Sequence, residues 1–265
     1  MRRLRRLVQK RSLRWSEGVC VIEGPDLVEA ALNGGAQFEA LYVERTDAAI
    51  RSLESLLAHA GAAGVRIFGL EPDVLASVAD TKTPQPVLAA IGLPISDLST
   101  VPVRGLWLVL HDLRDPGNVG TIIRSAHAAG VTAVILSGQS VDPFNPKTLR
   151  ATAGSIFHVP VVVAELSAVL EHVGPTGAQS FATVVSGGRA LRDVDFSSPT
   201  VVVIGNEAQG LDDETRSRCE KSLTISMEAG CESLNAGVAA SLVAFEARAQ
   251  RQDAGEHSSR PSLEG

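Results

Sequence analysis

Six short apolar runs constrain the fold of this chain more than any other feature: LWLVL (106–110), VTAVIL (131–136), VPVVV (159–163), FATVV (181–185), TVVVIG (200–205) and LTISM (223–227). They are rich in Val, Ile and Leu and do not alternate with polar residues. A strand with one wet face alternates, because successive side chains point to opposite sides of the sheet; a strand apolar throughout is covered on both faces. Segments of helical periodicity separate the runs. The expected class is therefore α/β, a mostly parallel sheet with helices on both faces. Sheets of this kind bind ligands outside the carboxyl ends of their strands, so the residues just after each run are the ones to search for chemistry.

The first hundred residues read differently, as a small α/β module of short strands (VCVIEG, ALYVE, VRIFGL, VLAAIGL) alternating with helical segments such as IRSLESLLAHAG. The stretch GLPISDLSTVPVRG lacks periodicity and reads as a linker. This predicts an N-terminal domain over 1–95, a linker over 96–105, a larger domain over 106–251 and a polar, disordered tail over 252–265. A hydrophobic content of 45% with 20% charged residues is that of a globular chain. No apolar run approaches the ~20 residues of a membrane-spanning helix, and no secretory signal is evident, so a cytosolic location is expected. Cys20, Cys219 and Cys231 are odd in number and without a CxxC pair, which argues against zinc and against a disulfide framework. The histidines, His111 included, have no metal-ligand spacing, and no metal is expected.

Net charge is −6, but residues 1–17 carry +6 and the remainder −12. Arg2, Arg3, Arg5, Arg6, Lys10, Arg11 and Arg14 all precede the first acid, Glu17. One end of an acidic protein is thus a local anion-seeking patch, which nucleic acid would satisfy.

Three strand ends carry the notable polar residues. After LWLVL, the cluster Asp115-Pro116-Gly117-Asn118 starts a helix whose inward face is Ile122, Ile123 and Ala126, and Arg124 lies in its second turn. A guanidinium near a sheet's carboxyl edge can grip a phosphate or carboxylate; it can equally make a surface ion pair. After TVVVIG comes Asn206-Glu207-Ala208-Gln209-Gly210, a polar loop between glycines that is neither GxGxxG nor a P-loop, so nicotinamide and nucleoside triphosphate ligands are poor matches. After LTISM, Ser233 or Asn235 opens a helix in which Leu234, Val238, Leu242 and Phe245 share one stripe and Gly237, Ala239, Ala240 and Ser241 make a small flank. That flank suits close packing within the domain or against a second copy.

In order and spacing, NVGTIIRSAHAAGV, VIGNEAQGL and ISMEAGCESLNAGVAASLVAFE resemble the three motifs of the SpoU-type (TrmH-like) RNA ribose 2′-O-methyltransferases of the SPOUT superfamily. FNPKTLRATAGSIFHVPV is similar to the family's segment between the first two motifs. LRRLVQKRSLRWSEGVCVIEG and TPQPVLA are similar to the ribosomal-protein-like RNA-binding extension of the rRNA-directed branch. The resemblance implies a parallel sheet whose C-terminal segment forms a deep trefoil knot, an exception to ordinary topology. It implies S-adenosylmethionine as cofactor, a homodimer whose active site draws on both chains, and RNA, above all 23S rRNA, as substrate. A tRNA ribose methyltransferase and a non-catalytic RNA-binding protein on the same fold are the alternatives.

Carried onto this sequence, the motifs make Arg124, Asn118, Glu207, Ser233 and Asn235 the catalytic group, with Asn118 and Glu207 holding Arg124 in place. Ser186, Gly187, Ile204, Gly205, Asn206, Gly210, Ile225, Met227, Leu234 and Asn235 would bind the cofactor. Arg5, Lys10, Arg11, Arg14, Lys147 and Arg150 would meet RNA phosphates. The chain departs from the family at Gly237, where a small hydroxyl residue is more usual, and in the acidic stretch Glu228–Glu232.

Overall fold

The computed structural model describes residues 1–81 and 83–258. In chain order the first elements are α1 (Arg2–Gln9), α2 (Arg11–Glu17), β1 (Val19–Glu23), α3 (Pro25–Asn33), β2 (Phe38–Glu44), α4 (Asp47–Ser52), α5 (Glu54–Ala62), β3 (Ile67–Leu70), α6 (Pro72–Ala76) and β4 (Val87–Gly92). There follow β5 (Leu106–His111), α7 (Pro116–Ala129), β6 (Ala133–Ser137), α8 (Pro146–Ala151), β7 (Val161–Val163), α9 (Leu166–Val173) and β8 (Gln179–Thr183). The last are β9 (Arg189–Ala190), β10 (Thr200–Ile204), α10 (Asp213–Ser217), β11 (Lys221–Thr224) and α11 (Ala236–Ser258). All six apolar runs contain strands. The two-residue β9 has no apolar signature and escaped the sequence reading.

The chain forms two compact units. The first combines Met1–Pro94 with Asp142–His158; the second combines Ile95–Val141 with Val159 onward. Asp142–His158 lies, in sequence, inside the region expected to be the larger domain, yet it packs with the first unit. Residues 96–105, expected as a linker, open the second unit instead: Val101 is buried beside Trp107 and Val109.

In the first unit the strand order is β1-β4-β2-β3, antiparallel except for β2 with β3. Leu4 and Leu7 of α1 and Leu75 of α6 pack on one face against Val19, Val21, Leu88 and Ala90. The spacing of Leu4 and Leu7 puts both on one side of α1, which leaves its arginines in water. α8 packs against β1.

The second unit holds a seven-stranded sheet, order β7-β6-β5-β10-β8-β11-β9, in which every pairing is parallel. Trp107 and Val109 of β5, Ile135 of β6 and Val201 and Val203 of β10 meet α9 through Leu166, Val169 and Val173. Alternation turns Leu108, Leu110, Val202 and Ile204 to the other face, where α7 and α11 pack. From β5 the chain winds outward through β6 and β7, then returns to place β8, β9 and β11 beyond β10. The paired ends of β5 and β10 are therefore the point where winding direction reverses.

Helix α11 packs within its own unit, as its small flank allows, and overruns the expected start of the tail. Its buried side is the small one, Ala236, Ala240, Val243, Ala244 and Ala247, packed against α7, whereas Val238, Leu242 and Phe245 are 47%, 44% and 48% exposed. Small side chains let two helices approach closely, and the larger stripe is then turned outward. The helix also continues to Ser258, through residues 252–258 that composition assigns to a tail, since the earlier turns have already nucleated it. Residues 259–265 of that expected tail lie outside the described residues. No described helix is long and apolar enough to cross a membrane.

Candidate active site

At the carboxyl ends of β10, β8 and β11 a cleft of about 470 Å³ opens, large enough for a cofactor-sized ligand. The expected cofactor residues Ser186, Ile204, Gly205, Asn206, Gly210, Ile225, Met227 and Leu234 line it, with Glu207 and Ser233 from the catalytic set. Gly187 and Asn235 are not among its lining residues. Pattern reading missed Leu211, Arg216, Leu223 and Glu232, which also line it. Leu211 and Leu223 carried only the generic signal of an apolar residue at a loop or strand end. Ile225, Met227, Leu223 and Leu234 make an apolar strip suited to a flat heterocycle, while Glu207 and Glu232 against the single guanidinium of Arg216 leave an excess of negative charge. A ligand with an aromatic end and a cationic end fits such a cleft.

The loop after β10 is built by the chain itself. Asn206 and Gly210 exchange backbone hydrogen bonds of 3.1 and 2.9 Å, closing a tight hairpin. Gly205 is required for that closure, since a Cβ there would sit 2.5 Å from the Gly210 carbonyl carbon. Its lack of a side chain admits the chain's own backbone at the edge of the cleft. The Asn206 side chain is likewise committed to the loop: Oδ1 accepts Ala208 N–H at 2.9 Å and Gln209 N–H at 3.3 Å, and Nδ2 donates to the Asp112 carbonyl at 2.9 Å. Beyond the loop, Asp212 caps α10 by accepting Thr215 N–H at 2.7 Å. Hydrogen bonds from the Thr215 side chain and backbone hold the Asp212 carboxyl below its ordinary range.

Three strand ends meet through side chains. Asp115 caps α7, accepting Asn118 N–H at 2.8 Å, which frees the Asn118 side chain. Asn118 Nδ2 donates to Glu207 Oε1 at 2.9 Å, and Asn118 Oδ1 accepts from Asn235 Nδ2 at 2.9 Å. Asn235 Oδ1 then caps α11, accepting Gly237 N–H at 2.8 Å and Val238 N–H at 3.2 Å. Every amide in this chain has one sense only, set at one end by a carboxylate and at the other by backbone donors.

Arg124 stands apart from this network. It is exposed on α7, outside the cleft lining, and among the described residues it has no ion-pair partner. Asn118 and Glu207 hold each other, and neither is bonded to Arg124 of the same chain.

Residues 105–245 match the SpoU rRNA Methylase family, and residues 1–89 match the MRM3-like substrate binding domain. The chain belongs to the SpoU rRNA methylase family. Among relatives of this SpoU methylase is the 23S rRNA (guanosine(2553)-2′-O)-methyltransferase RlmP of Bacillus subtilis (strain 168), 32% identical over 228 residues, 86% of this chain and 88% of that protein. An AdoMet-bound rRNA methyltransferase from Sinorhizobium meliloti is similar in structure, with a TM-score of 0.83 at 30% identity over 94% of this chain and 93% of that one. AviRb from Streptomyces viridochromogenes, in complex with the cofactor AdoMet, gives 0.84 at 28% identity, covering 95% and 97%.

The departure of this SpoU methylase at Gly237 has a local cause. A Cβ at Gly237 would meet Asn235 Oδ1 at 3.1 Å and Thr121 Cγ2 at 3.4 Å, crowding the cap that joins the third motif to the first. In the first unit, Arg5, Lys10, Arg11, Lys147 and Arg150 are exposed, although Arg5 donates to Ser77 O at 2.9 Å and Arg150 lies 3.7 Å from Asp80. Arg14 is corrected: it is 3% exposed, its Nε and Nη2 donate to Asp142 Oδ2 at 2.8 and 2.5 Å, and its Nη1 donates to the carbonyls of Leu7 and Val8. Its guanidinium ties α2 to the Asp142–His158 segment and is buried away from any phosphate.

Proposed function

We propose that this SpoU methylase transfers a methyl group from S-adenosylmethionine to a ribose 2′-hydroxyl of 23S ribosomal RNA in the cytoplasm, as a homodimer. One observation supports this most: the cleft at the β10, β8 and β11 ends, with an apolar strip and surplus carboxylates, is joined to the α7 and α11 motifs by the chain Glu207–Asn118–Asn235. The names of the RlmP and AdoMet-bound relatives agree with it.

When bound, S-adenosylmethionine supplies an electrophilic methyl on a sulfonium sulfur. Ile225, Met227 and Leu234 would hold its adenosine, Ser186, Gly205 and Gly210 would shape the loops around it, and the carboxylates of Glu207 and Glu232 favour its cationic end. Ser233 would place the amino-acid tail or the substrate. Glu207, kept in position by Asn118, fixes the reactive end of the cleft, because alignment is the larger part of such a transfer. Arg124 would orient the target nucleotide and stabilise developing negative charge, the role that a planar, multi-donor guanidinium suits.

The dimer belongs to this reading. Arg124 lies outside its own chain's cleft, as an active site completed by a second chain requires, and the stripe Val238, Leu242 and Phe245 is an apolar helix face open to a partner. The division of labour is an RNA-holding unit with the cations Arg5, Lys10, Arg11, Lys147 and Arg150, and a catalytic unit in which the C-terminal segment is threaded as a trefoil knot. The test is methyl incorporation from labelled S-adenosylmethionine into 23S rRNA. Incorporation that survives Arg124→Ala unchanged would remove Arg124 from the mechanism, and absence of cofactor binding at millimolar concentration would favour a purely RNA-binding role.

A further inference from the structure

We infer that Asp112 is a positioning residue for the cofactor loop, an assignment that rests on the function proposed above. Asp112 follows β5 directly and holds a left-handed backbone, φ 57°, a region costly for L-residues and tolerated best, after glycine, by Asn and Asp. The neighbouring strand end keeps it there. Asp112 Oδ1 accepts the N–H of Gln139 at 2.6 Å, and Asp112 N–H donates to Ser137 O at 3.2 Å. Gly138 provides the space, since a Cβ at that position would lie 2.3 Å from Asp112 Oδ1.

Held in this conformation, Asp112 offers its carbonyl to Asn206 Nδ2 at 2.9 Å. The same Asn206 side chain accepts from Ala208 and Gln209, so one residue links the end of β5 to the tip of the loop that lines the cleft. The neighbouring turn adds two backbone donors, Arg114 N–H and Asp115 N–H, at 3.5 and 3.3 Å from the Glu207 carboxylate. The ends of three adjacent strands, β6, β5 and β10, are joined in series through Gln139, Asp112 and Asn206. A residue unable to hold a left-handed φ at 112 would swing the carbonyl away and release the 205–210 loop, leaving the strands themselves intact.

Asn206→Asp is the sharpest probe, because it keeps both acceptor bonds to Ala208 and Gln209 and replaces the donor facing Asp112 with an oxygen. Equilibrium binding of radiolabelled S-adenosylmethionine to the full chain should weaken about tenfold or more. KM for the cofactor should rise while kcat at saturation changes less than about threefold, and the urea midpoint should stay at the wild-type value. Asp112→Val should lose a similar factor, and Asp112→Asn, which keeps the left-handed preference and the acceptor, should return to within about twofold of wild type. Wild-type affinity in Asn206→Asp, or Asp112→Asn as weak as Asp112→Val, would overturn the inference while leaving the proposed function standing. A wild-type chain that binds no S-adenosylmethionine would overturn both.

Discussion

Asn118 Nδ2 lies 2.9 Å from Glu207 Oε1, joining residues 89 positions apart at the ends of β5 and β10. Because Asn118 Oδ1 is in turn occupied by Asn235 Nδ2, the amide cannot rotate to suit a changed partner. Glu207→Gln can keep one oxygen for Asn118 Nδ2, but it turns the other, which faces Arg114 N–H, into an NH₂ donor set against a donor. We expect methyl transfer under single-turnover conditions to fall by about 30-fold, the equivalent of roughly 2 kcal/mol, and S-adenosylmethionine affinity, to which the Glu207 charge also contributes, to fall by a smaller factor. Equal losses in both quantities would mean that Glu207 serves binding alone.

Arg124→Ala should keep cofactor affinity and lose at least about 100-fold in methyl incorporation, the scale of removing one charge-stabilising donor. Arg124→Lys should recover only part of it, since an ammonium lacks the two-pronged geometry of a guanidinium. Filter-binding of the cofactor beside incorporation assays separates the two effects.

Asp142→Ala strands the Arg14 guanidinium in a site that is 3–4% exposed. Breaking one half of such a buried pair costs about 3–5 kcal/mol, so the urea transition should move sharply to lower denaturant. Replacing an exposed cation, as in Lys147→Ala, should leave that transition in place and flatten the salt dependence of RNA binding. The opposite pattern would return Arg14 to the list of phosphate contacts.

Phe245→Glu puts a charge into the exposed stripe of α11 without touching its packed face. Light scattering at micromolar concentration should show dimer for the wild type and monomer for the variant. A wild-type monomer would remove the dimer from the reading.

Burial pushes the Cys20 thiol up to about 12 and the Cys219 thiol up to about 11. A raised folded-state pKa keeps the neutral form in the native protein, so stability is whole below the ordinary thiol value, about 8.5, and drains away as pH climbs toward 11 or 12. The urea midpoint should therefore decline above about pH 9. At pH 8, a disulfide reagent should label exposed Cys231 quickly and Cys20 and Cys219 slowly.

Much of the catalytic unit was legible because its signals are local. Short unbroken runs rich in Val and Ile between helical segments fit strands covered on both sides, and Asn118, Glu207 and Asn235 follow them as polar groups placed where a core stops. Other features carried no local signal. Arg14 looks like its exposed basic neighbours until Asp142, 128 positions away, is folded against it. Asp112 reads as an ordinary turn residue, since a left-handed φ leaves no mark on composition.

What the sequence determined by itself is therefore the set of elements, the parallel character of the large sheet and the chemical kinds of residue at its carboxyl edge. All follow from periodicity and side-chain type within a few residues. Tertiary structure alone decided that Asp142–His158 joins the N-terminal unit, that α11 buries its alanines and shows its larger residues, and that Glu207 is held by Asn118. Burial and hydrogen-bond partners are properties of pairs of segments, and no single segment encodes which other one will be packed against it.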